Sequence, residues 1–363
     1  MWIAVVTVAL LLLAGMLAYL VRCFHRFSLF QKLSERSRAL SWLAACVPVA
    51  ALGLLALVNV STLLVVVLHL CAAFLLLRFT GFLLKKLLGR PLSDNAQGIA
   101  ALVLTVLYLG AGVYQMYHIR ETRYAFASPK LQQELRVAVL SDSHLSLTLD
   151  GKRFSVLMDR VQAAKPDVLV LVGDFVDDDT DREDMREACA ALGRLQMTYG
   201  VFYVFGNHDD GYYNYRNFTS DELRAELKKN NVVTLEDQYI LLGDAFYLVG
   251  RRDRSWDGRL DAQTMTGELD ASKYAIMLDH QPNDYAAEAK AGADLVLSGH
   301  THGGHIFPAG QLGLLMHAND AIYGVEERGG TTFVVTSGVS GWAIPFKTGC
   351  FSEFVVIDVR PAA

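Results

Sequence analysis

The sequence predicts a layered α/β domain behind an all-α membrane domain of four helices. The first observation behind this is a pattern that repeats after about residue 135: short apolar runs that end in polar clusters. Val137-Ala-Val-Leu140 runs into Asp142-Ser143-His144, Val168-Leu-Val-Leu-Val172 into Gly173-Asp174-Phe175-Val176-Asp177, and Val201-Phe-Tyr-Val-Phe205 into Gly206-Asn207-His208-Asp209. Tyr274-Ala-Ile-Met-Leu278 ends at Asp279-His280, and Leu295-Val-Leu297 at Gly299-His300-Thr301-His302-Gly303-Gly304. Short β-rich runs read as buried strands, and groups at their C-terminal ends project into one shared crevice. The second observation is uneven composition. Hydrophobic residues make up 52% and charged residues only 20%, and the apolar excess is concentrated before about residue 118.

Within that first third, residues 2–21, about 40–58, about 62–82 and about 98–118 are each near the roughly 20 residues that a helix needs to cross the hydrocarbon core. The first has no basic start and is followed by Arg22, Cys23 and Phe24 rather than a small-residue cleavage site, so it reads as a retained helix. Arg22, Arg26, Lys32, Arg36 and Arg38 occupy residues 22–39, and Lys85, Lys86 and Arg90 occupy 83–97, whereas the 59–61 turn has no basic side chain. The positive-inside rule puts both basic loops in the cytoplasm and everything after about residue 119 outside, with Arg120 and Arg123 weighing slightly the other way. His69 and Arg78 lie in or near the third span. Without an acidic partner in any span they read as a helix–helix hydrogen bond and a snorkelling side chain rather than a transport path, which leaves an anchor.

Residues 119–134 read as a polar linker, and the α/β domain runs over 135–363. Apolar positions at helical spacing mark a helix over 152–164, stopping before Pro166. Thr219 with Glu222 reads as a capping box for a helix through Lys229. Strand-like Thr332-Phe-Val-Val-Thr336 and residues 351–359 finish the chain, so helices and strands alternate before a more β-rich end. A crevice lined by Asp, His and Asn without cysteine suits one or two divalent cations rather than a thiolate zinc site. The net charge of −5 and the lack of a basic stripe give no reason to expect nucleic acid. Cys189 and Cys350, the two cysteines of this part, read as buried free thiols.

The ordered series Asp142-x-His144, Gly173-Asp174-x-x-Asp177, Gly206-Asn207-His208-Asp209, His280 and Gly299-His300-x-His302 resembles the calcineurin-like metallophosphoesterase superfamily over roughly residues 135–360. The segment from Ser337-Gly338 through Gly349-Cys350 resembles a bacterial membrane-associated branch similar to UDP-2,3-diacylglucosamine hydrolases. The resemblance implies an α/β-β-α sandwich and two divalent ions, Mn, Fe or Zn. It implies that Asp174 bridges them, with Asp142, His144 and His302 on one ion and Asn207, His280 and His300 on the other. Such a pair activates water for in-line attack on phosphorus and neutralises phosphoryl oxygens. His208 is implied to protonate the leaving oxygen or stabilise phosphoryl charge, with Asp177 orienting its ring. Asp279 is a candidate acceptor for the second nitrogen of His280.

Departures from the pattern narrow the reading. Asp178-Asp179 replaces the Arg-Gly that follows the second motif in phosphoprotein phosphatases, which argues against that class. His305 stands where related enzymes often carry Gln, and His305 and His317 read as structural. The acidic run from Asp177 to Asp184 lacks the glycine and spaced glutamate of a calcium loop and reads as solvated. Two segments could shape specificity: Gly211 to Phe218, dense in tyrosine, and Arg251 to Trp256, basic with an aromatic end. The expected protein is a multi-pass membrane protein of a bacterial inner or plasma membrane. It would act on a phosphodiester or pyrophosphate in a lipid or lipid-linked molecule and have the bilayer itself as partner. The alternatives are a tethered hydrolase of soluble nucleotides or phosphate esters, and a non-catalytic polytopic sensor or transporter, which the full ligand set disfavours.

Overall fold

The computed structural model describes residues 2–213 and 215–362 and divides into a unit ending at Gly112 and a unit beginning at Val113. The first unit is helical: α1 (Trp2–His25), α2 (Ser28–Ser34), α3 (Arg38–Leu52) continued by a 3₁₀ turn Gly53–Leu57, α4 (Val60–Leu88), and the start of α5 (Asp94–Tyr117). Arg38–Leu57, Val60–Leu88 and Asp94–Tyr117 are each long and apolar enough to cross a membrane, and Leu10–His25 with Ser28–Ser34 qualifies as a pair bent by 81°. Three of the expected spans therefore stand as separate helices, and the first as the leading arm of a bent pair. The Thr62 N–H donates to Asn59 Oδ1 to start α4, and Gly89 at φ 65° ends it in the left-handed conformation that glycine adopts without strain. Leu20, Val67, Leu70 and Phe74 are buried among these helices, while Leu57 is 84% exposed and Leu75 57%. Leucines so bare on helices of spanning length suit contact with lipid. The His69 hydrogen bond stays within its own helix, Nδ1 to the Val65 carbonyl at 2.8 Å, while its ring stacks on Tyr108 of α5. Arg78 lies over the Tyr19 ring at 5.7 Å.

The second unit holds two six-stranded sheets. One has the order β1 (Arg120–Ser128), β12 (Glu353–Pro361), β2 (Leu135–Leu140), β3 (Val168–Val172), β4 (Gly200–Val204), β5 (Val232–Thr234). The other has the order β10 (Gly324–Arg328), β11 (Thr331–Val335), β9 (Leu295–Ser298), β8 (Tyr274–Leu278), β7 (Phe246–Gly250), β6 (Gln238–Leu242). Strands β2 to β5 run parallel, as do β7, β8, β9 and β11, so the motif-bearing C-terminal ends share one edge of the unit. Valines and leucines on alternate positions meet between the sheets: Val137, Val139, Val170 and Phe202 from one, Leu248, Ile276 and Leu297 from the other. The outer face of the first sheet packs against α6 (Gly151–Ala163), α7 (Arg182–Gly193) and α8 (Ser220–Lys229) through Phe154, Leu192 and Leu227. The second packs against Ala262–Thr266 and Tyr285–Ala291 through Met265 and Tyr285. This is the α/β-β-α sandwich. The Thr219–Glu222 capping box is present at the start of α8.

Residues 119–134 are not a simple linker. Arg120–Ser128 is an edge strand, parallel to β12 from Arg120↔Glu353 to Ser128↔Pro361. Its Thr122, Tyr124, Phe126 and Ser128 alternate inward, and this period of two shows already in the sequence beneath the charged residues. The acidic run is solvated only in part: Asp179, Asp181 and Glu183 are exposed. Asp177 and Asp178 are buried, Asp178 accepts the Tyr212 and Tyr213 N–H groups, and Asp184 accepts the Gly151 N–H.

Candidate metal centre

The strand ends are knitted together by backbone before any side chain is considered. Asp142 N–H donates to Gly173 O, His144 N–H to Asp174 O, and Gly299 N–H to His280 O. Asp142 (φ 55°), His144 (φ 37°), Asp174 (φ 53°), His300 (φ 66°) and His302 (φ 49°) all lie in the left-handed region, which costs a non-glycine residue of order 1 kcal/mol or more. So many chemically potent residues held in strained backbone point to a site rather than to packing. The motif glycines make room for it. A Cβ at Gly206 would lie 2.3 Å from Asp174 Oδ1, one at Gly299 2.5 Å from Asp142 Oδ2, and one at Gly338 2.6 Å from Asp142 Cβ.

Two groups of side chains converge there. One ligand atom each from Asp142, His144 and His302 lies within 4.8 Å of the others, and the same holds for Asp174, His280 and His300. The two groups share an oxygen: Asp174 Oδ2 is 3.7 Å from His144 Nε2 and 3.1 Å from His280 Nε2. Asn207 stands with the second group, its Oδ1 2.9 Å from His300 Nδ1 and its amide N–H donating to the Tyr212 hydroxyl at 2.8 Å. Every residue expected to hold metal is therefore brought to one place.

The donor chemistry fits divalent ions. His280 Nδ1–H donates to Val172 O at 2.8 Å, His302 Nδ1 faces Ser340 O at 3.3 Å, and His144 Nδ1 faces Asp177 Oδ2 at 3.2 Å. Each outer nitrogen thus has an acceptor, which turns the Nε2 lone pair inward. His144 Nε2 and His280 Nε2 are buried with the Asp174 carboxylate beside them but out of hydrogen-bond geometry, an arrangement that a cation bound between them would satisfy. Burial lowers the His300 imidazole to about 4 and, with the neighbouring His144, holds His302 well below its usual range, so both are neutral donors near neutral pH. Burial would raise Asp174, but the His280 and His144 imidazoles overcome it and hold its carboxyl well below the usual carboxylate range. In turn Asp174 pulls His280 well above the imidazole range against its burial. The pocket demands positive charge beside that carboxylate.

His208 lies beside the cluster rather than in it. Its N–H donates to Asp174 Oδ1 at 2.9 Å, and its half-buried ring sits against His144, Tyr212 and Trp342 at centroid distances of 5.0, 5.1 and 5.4 Å. Asp177, expected to orient that ring, bonds His144 instead. Asp279 is likewise not the partner of His280. It pairs with Arg251 at 2.8 Å and with Arg259, and the backbone of Val172 takes the imidazole N–H. Arg251 is therefore 2% exposed inside an ion cluster and cannot meet substrate. His305 lies 5.2 Å from His302 ring to ring, and burial together with Lys347 lowers it to about 3. His317 is exposed and away from the cluster. All five cysteines are free.

Two contributors carried no assignment from sequence. Asp209 is fully buried and accepts the N–H groups of Asp174, Phe175, Val176 and Gly206 at 2.7–3.1 Å, holding both motif loops on one carboxylate. Its place at the end of the third motif was the only signal. Trp342, 47% exposed, forms the lip over His208 from within the Ser337–Cys350 segment, whose resemblance gave that residue no role.

The family model for calcineurin-like phosphoesterases matches residues 135–304. An uncharacterised metallophosphoesterase of Campylobacter jejuni is 31% identical over 268 residues, 72% of this chain and 69% of its own. One from Aquifex aeolicus is 30% identical over 255 residues, 68% of this chain and 94% of its own. A transmembrane protein with metallophosphoesterase domain from Bos taurus is 30% identical over 256 residues, which span 64% of this chain and only 55% of that relative. Ordered motifs, layered sheets, a donor set suited to two divalent ions and these similarities agree: the chain is a membrane protein whose second unit belongs to the calcineurin-like phosphoesterase family, a metal-dependent hydrolase.

Proposed function

We propose that the chain is a membrane-anchored dinuclear phosphoesterase that hydrolyses a phosphodiester or pyrophosphate bond in a lipid or lipid-linked substrate. The observation that carries the dinuclear reading is the single oxygen, Asp174 Oδ2, that faces both His144 and His280. Asp142, His144 and His302 would hold one ion and Asn207, His280 and His300 the other, a nitrogen and oxygen set suited to Mn, Fe or Zn. Bound there, two divalent ions supply a water activated for in-line attack and neutralise phosphoryl oxygens. The chain's own residues do the rest. Asp209 fixes the loops, the Asn207 carbonyl adds a ligand without adding negative charge, and His208 stands at the open side, where a leaving oxygen departs. Burial keeps the His208 imidazole below its ordinary value, so it is neutral at rest, and phosphoryl charge arriving against it favours its protonated form.

Two features favour a diester or pyrophosphate in a lipid. Basic side chains around the centre are already engaged: Lys347 Nζ donates to Ser337 O and Gly338 O, Arg216 to Asp209 O, and Arg251 and Arg259 to Asp279. A doubly charged terminal phosphoryl group gains most from extra cations, whereas a phosphorus substituted on both sides, as in a diester or a disubstituted pyrophosphate, carries one charge and can rely on the metals. The rim is aromatic and bare, with Tyr212, Tyr213, Tyr215 and Trp342 all exposed, which suits the interface of a bilayer. The Tyr212–His208–Trp342 edge could equally stack a nucleobase, so soluble nucleotides are the second reading.

The test uses purified full-length protein, chelated and then resupplied with Mn²⁺. Lipid phosphodiesters and lipid pyrophosphates in mixed micelles are compared with soluble nucleotides and a nitrophenyl diester. Mn²⁺-dependent release from a lipid substrate at higher kcat/KM than from any nucleotide is expected. Preference for nucleotides would replace the lipid reading, and no turnover with any divalent ion would overturn the enzyme reading.

A further inference from the structure

Beside the centre, the second unit has a groove of about 490 Å³ between the last turn of α5 and the exposed face of α6. Met116 and Tyr117 form one wall, and Lys152, Arg153, Val156 and Arg160 the other. The chemistry of the α6 wall is mixed in an ordered way. Lys152, Val156 and Arg160 recur at every fourth position and are exposed, while Phe154, Leu157, Met158 and Val161 between them are buried in the core. Val156 is 62% exposed, an aliphatic side chain left bare between cations. The guanidiniums are placed rather than loose: Arg153 donates to Thr148 O at 3.1 Å and lies 5.9 Å over the Tyr117 ring, and Arg160 donates to Ile119 O at 3.0 Å. Asp150 lies 4.0 Å from Arg153 with both side chains at least half exposed, too weak a pair to neutralise it, and Asp159 on the same helix pairs with Arg194.

We infer that this groove binds an anionic phospholipid of the bilayer that the chain's own helices cross, separately from the metal centre. The phosphate would lie against Lys152 and Arg153, and the first methylenes of the acyl chain along Val156 and Tyr117. Continuity of the chain identifies the occupant. Tyr117 is the last residue of a helix long and apolar enough to span a membrane, so the groove wall it forms stands where that helix leaves the hydrocarbon, at headgroup depth. A free anion gains nothing from Val156 and Tyr117, and a zwitterionic lipid gains less from the cations because its own ammonium offsets its phosphate; an anionic amphiphile uses both. The groove also abuts the loop that lines the centre. The Thr148 hydroxyl bonds the Ser340 hydroxyl at 2.6 Å, and Ser340 O faces His302 Nδ1 at 3.3 Å.

The experiment titrates dioctanoyl phosphatidylglycerol into detergent-solubilised full-length protein and counts retained lipid by native mass spectrometry, with dioctanoyl phosphatidylcholine and inorganic phosphate as controls. Phosphatidylglycerol should bind, phosphatidylcholine should bind far more weakly, and inorganic phosphate should not displace the lipid. At about fivefold per basic charge near a membrane surface, Lys152→Gln should weaken binding about fivefold and Lys152→Gln with Arg153→Gln about 25-fold. Val156→Asp should weaken it from the apolar side. Asp174→Ala, which removes turnover, should keep wild-type lipid affinity, so this inference and the proposed activity fail separately. Wild-type affinity in the single and double variants, or equal binding of phosphatidylcholine, would overturn the inference. Full displacement by inorganic phosphate would reduce the groove to a simple anion site and overturn it as well.

Discussion

A carboxylate three residues from the bridging position can serve either the metal ligand or the acid, and the hydrogen bond decides. Burial would raise Asp177, but the bond and charge of His144 outweigh it and hold the carboxyl below its usual range. An ionised Asp177 on Nδ1 orients His144 and raises its basicity towards metal. Asp177→Asn should therefore lower metal affinity about 10–100-fold, read by competition with a chromogenic chelator, while the response to leaving-group pKa stays as in the wild type. Unchanged metal affinity with an altered leaving-group response would return Asp177 to His208. His208→Ala should do the opposite: metal content intact and turnover down roughly 10²–10⁴-fold, with partial rescue on a nitrophenyl ester that needs little protonation. Equal loss on good and poor leaving groups would assign the ring to phosphoryl charge instead. Asp174→Ala should lose at least one ion by elemental analysis, and full metal content in that variant would remove the shared-ligand reading. The convergence of these side chains was legible because each follows an apolar run, and a strand's end fixes where its next side chain goes. Their outer partners were not: Asp177 and Val172 O are chosen by how the loops fold back, which no spacing encodes.

At the scale of elements, the central strands were readable from unbroken apolar runs, and β1 was missed because charged residues on its outer face hide a period of two. Within the Arg251–Trp256 segment, Arg251 was misread for a related reason: a basic residue suggests phosphate, yet this one closes an internal cluster, while Arg252 and Arg254 stay outside it. Two guanidiniums, Arg251 and Arg259, face three carboxyls, Asp279, Asp284 and Glu288, which leaves one negative charge in excess. Burial and then the Asp279 charge push Glu288 well above its ordinary value, so Glu288 holds a proton in the fold. A carboxyl raised on folding contributes stability that is complete below its unfolded pKa and is lost as pH rises through the folded one. The wild type should therefore lose thermal stability as pH rises above the ordinary carboxylate range and through the raised Glu288 value. Glu288→Gln, whose amide oxygen still accepts from Arg251, should flatten that loss. Arg251→Met should destabilise at every pH by leaving buried carboxylates unpaired, on the order of 3–5 kcal/mol. Melting curves of the full chain across pH distinguish these outcomes, and parallel curves for wild type and Glu288→Gln would remove the shared proton from the account.

For the molecule as a whole, the question is which side of the membrane the hydrolase faces, and a single span decides it. Between the basic 83–97 loop and the second unit lies only α5, so the two ends of that helix are on opposite sides if it crosses. Lys85 and Lys86 close α4, Arg22 lies in the last turn of α1, and Arg26 is 3.5 Å from Asp94 while Ser28 N–H donates to Asn95 Oδ1 at 2.8 Å. The two basic loops therefore meet at one end of the helical unit, which supports one side for both, and positive loops favour the cytoplasm. The hydrolase would then face outward, towards an exported lipid, a wall precursor or an outer-leaflet headgroup. A nucleotide-linked lipid of the UDP-diacylglucosamine type, made inside, would be beyond its reach, although the tail segment resembles enzymes of that class. The charge argument outranks the analogy because it rests on this chain's own loops, while substrate preference within a shared fold changes with a few side chains. Arg120, Arg123 and the α6 cations sit on the outward side in this arrangement, a cost that the rule tolerates because folded domains count for less than short loops. A reporter active only outside the cytoplasm, fused after residue 363, should be active, and one active only inside should be silent. The reverse pattern would turn the protein over and make the cytoplasmic nucleotide-lipid the favoured substrate.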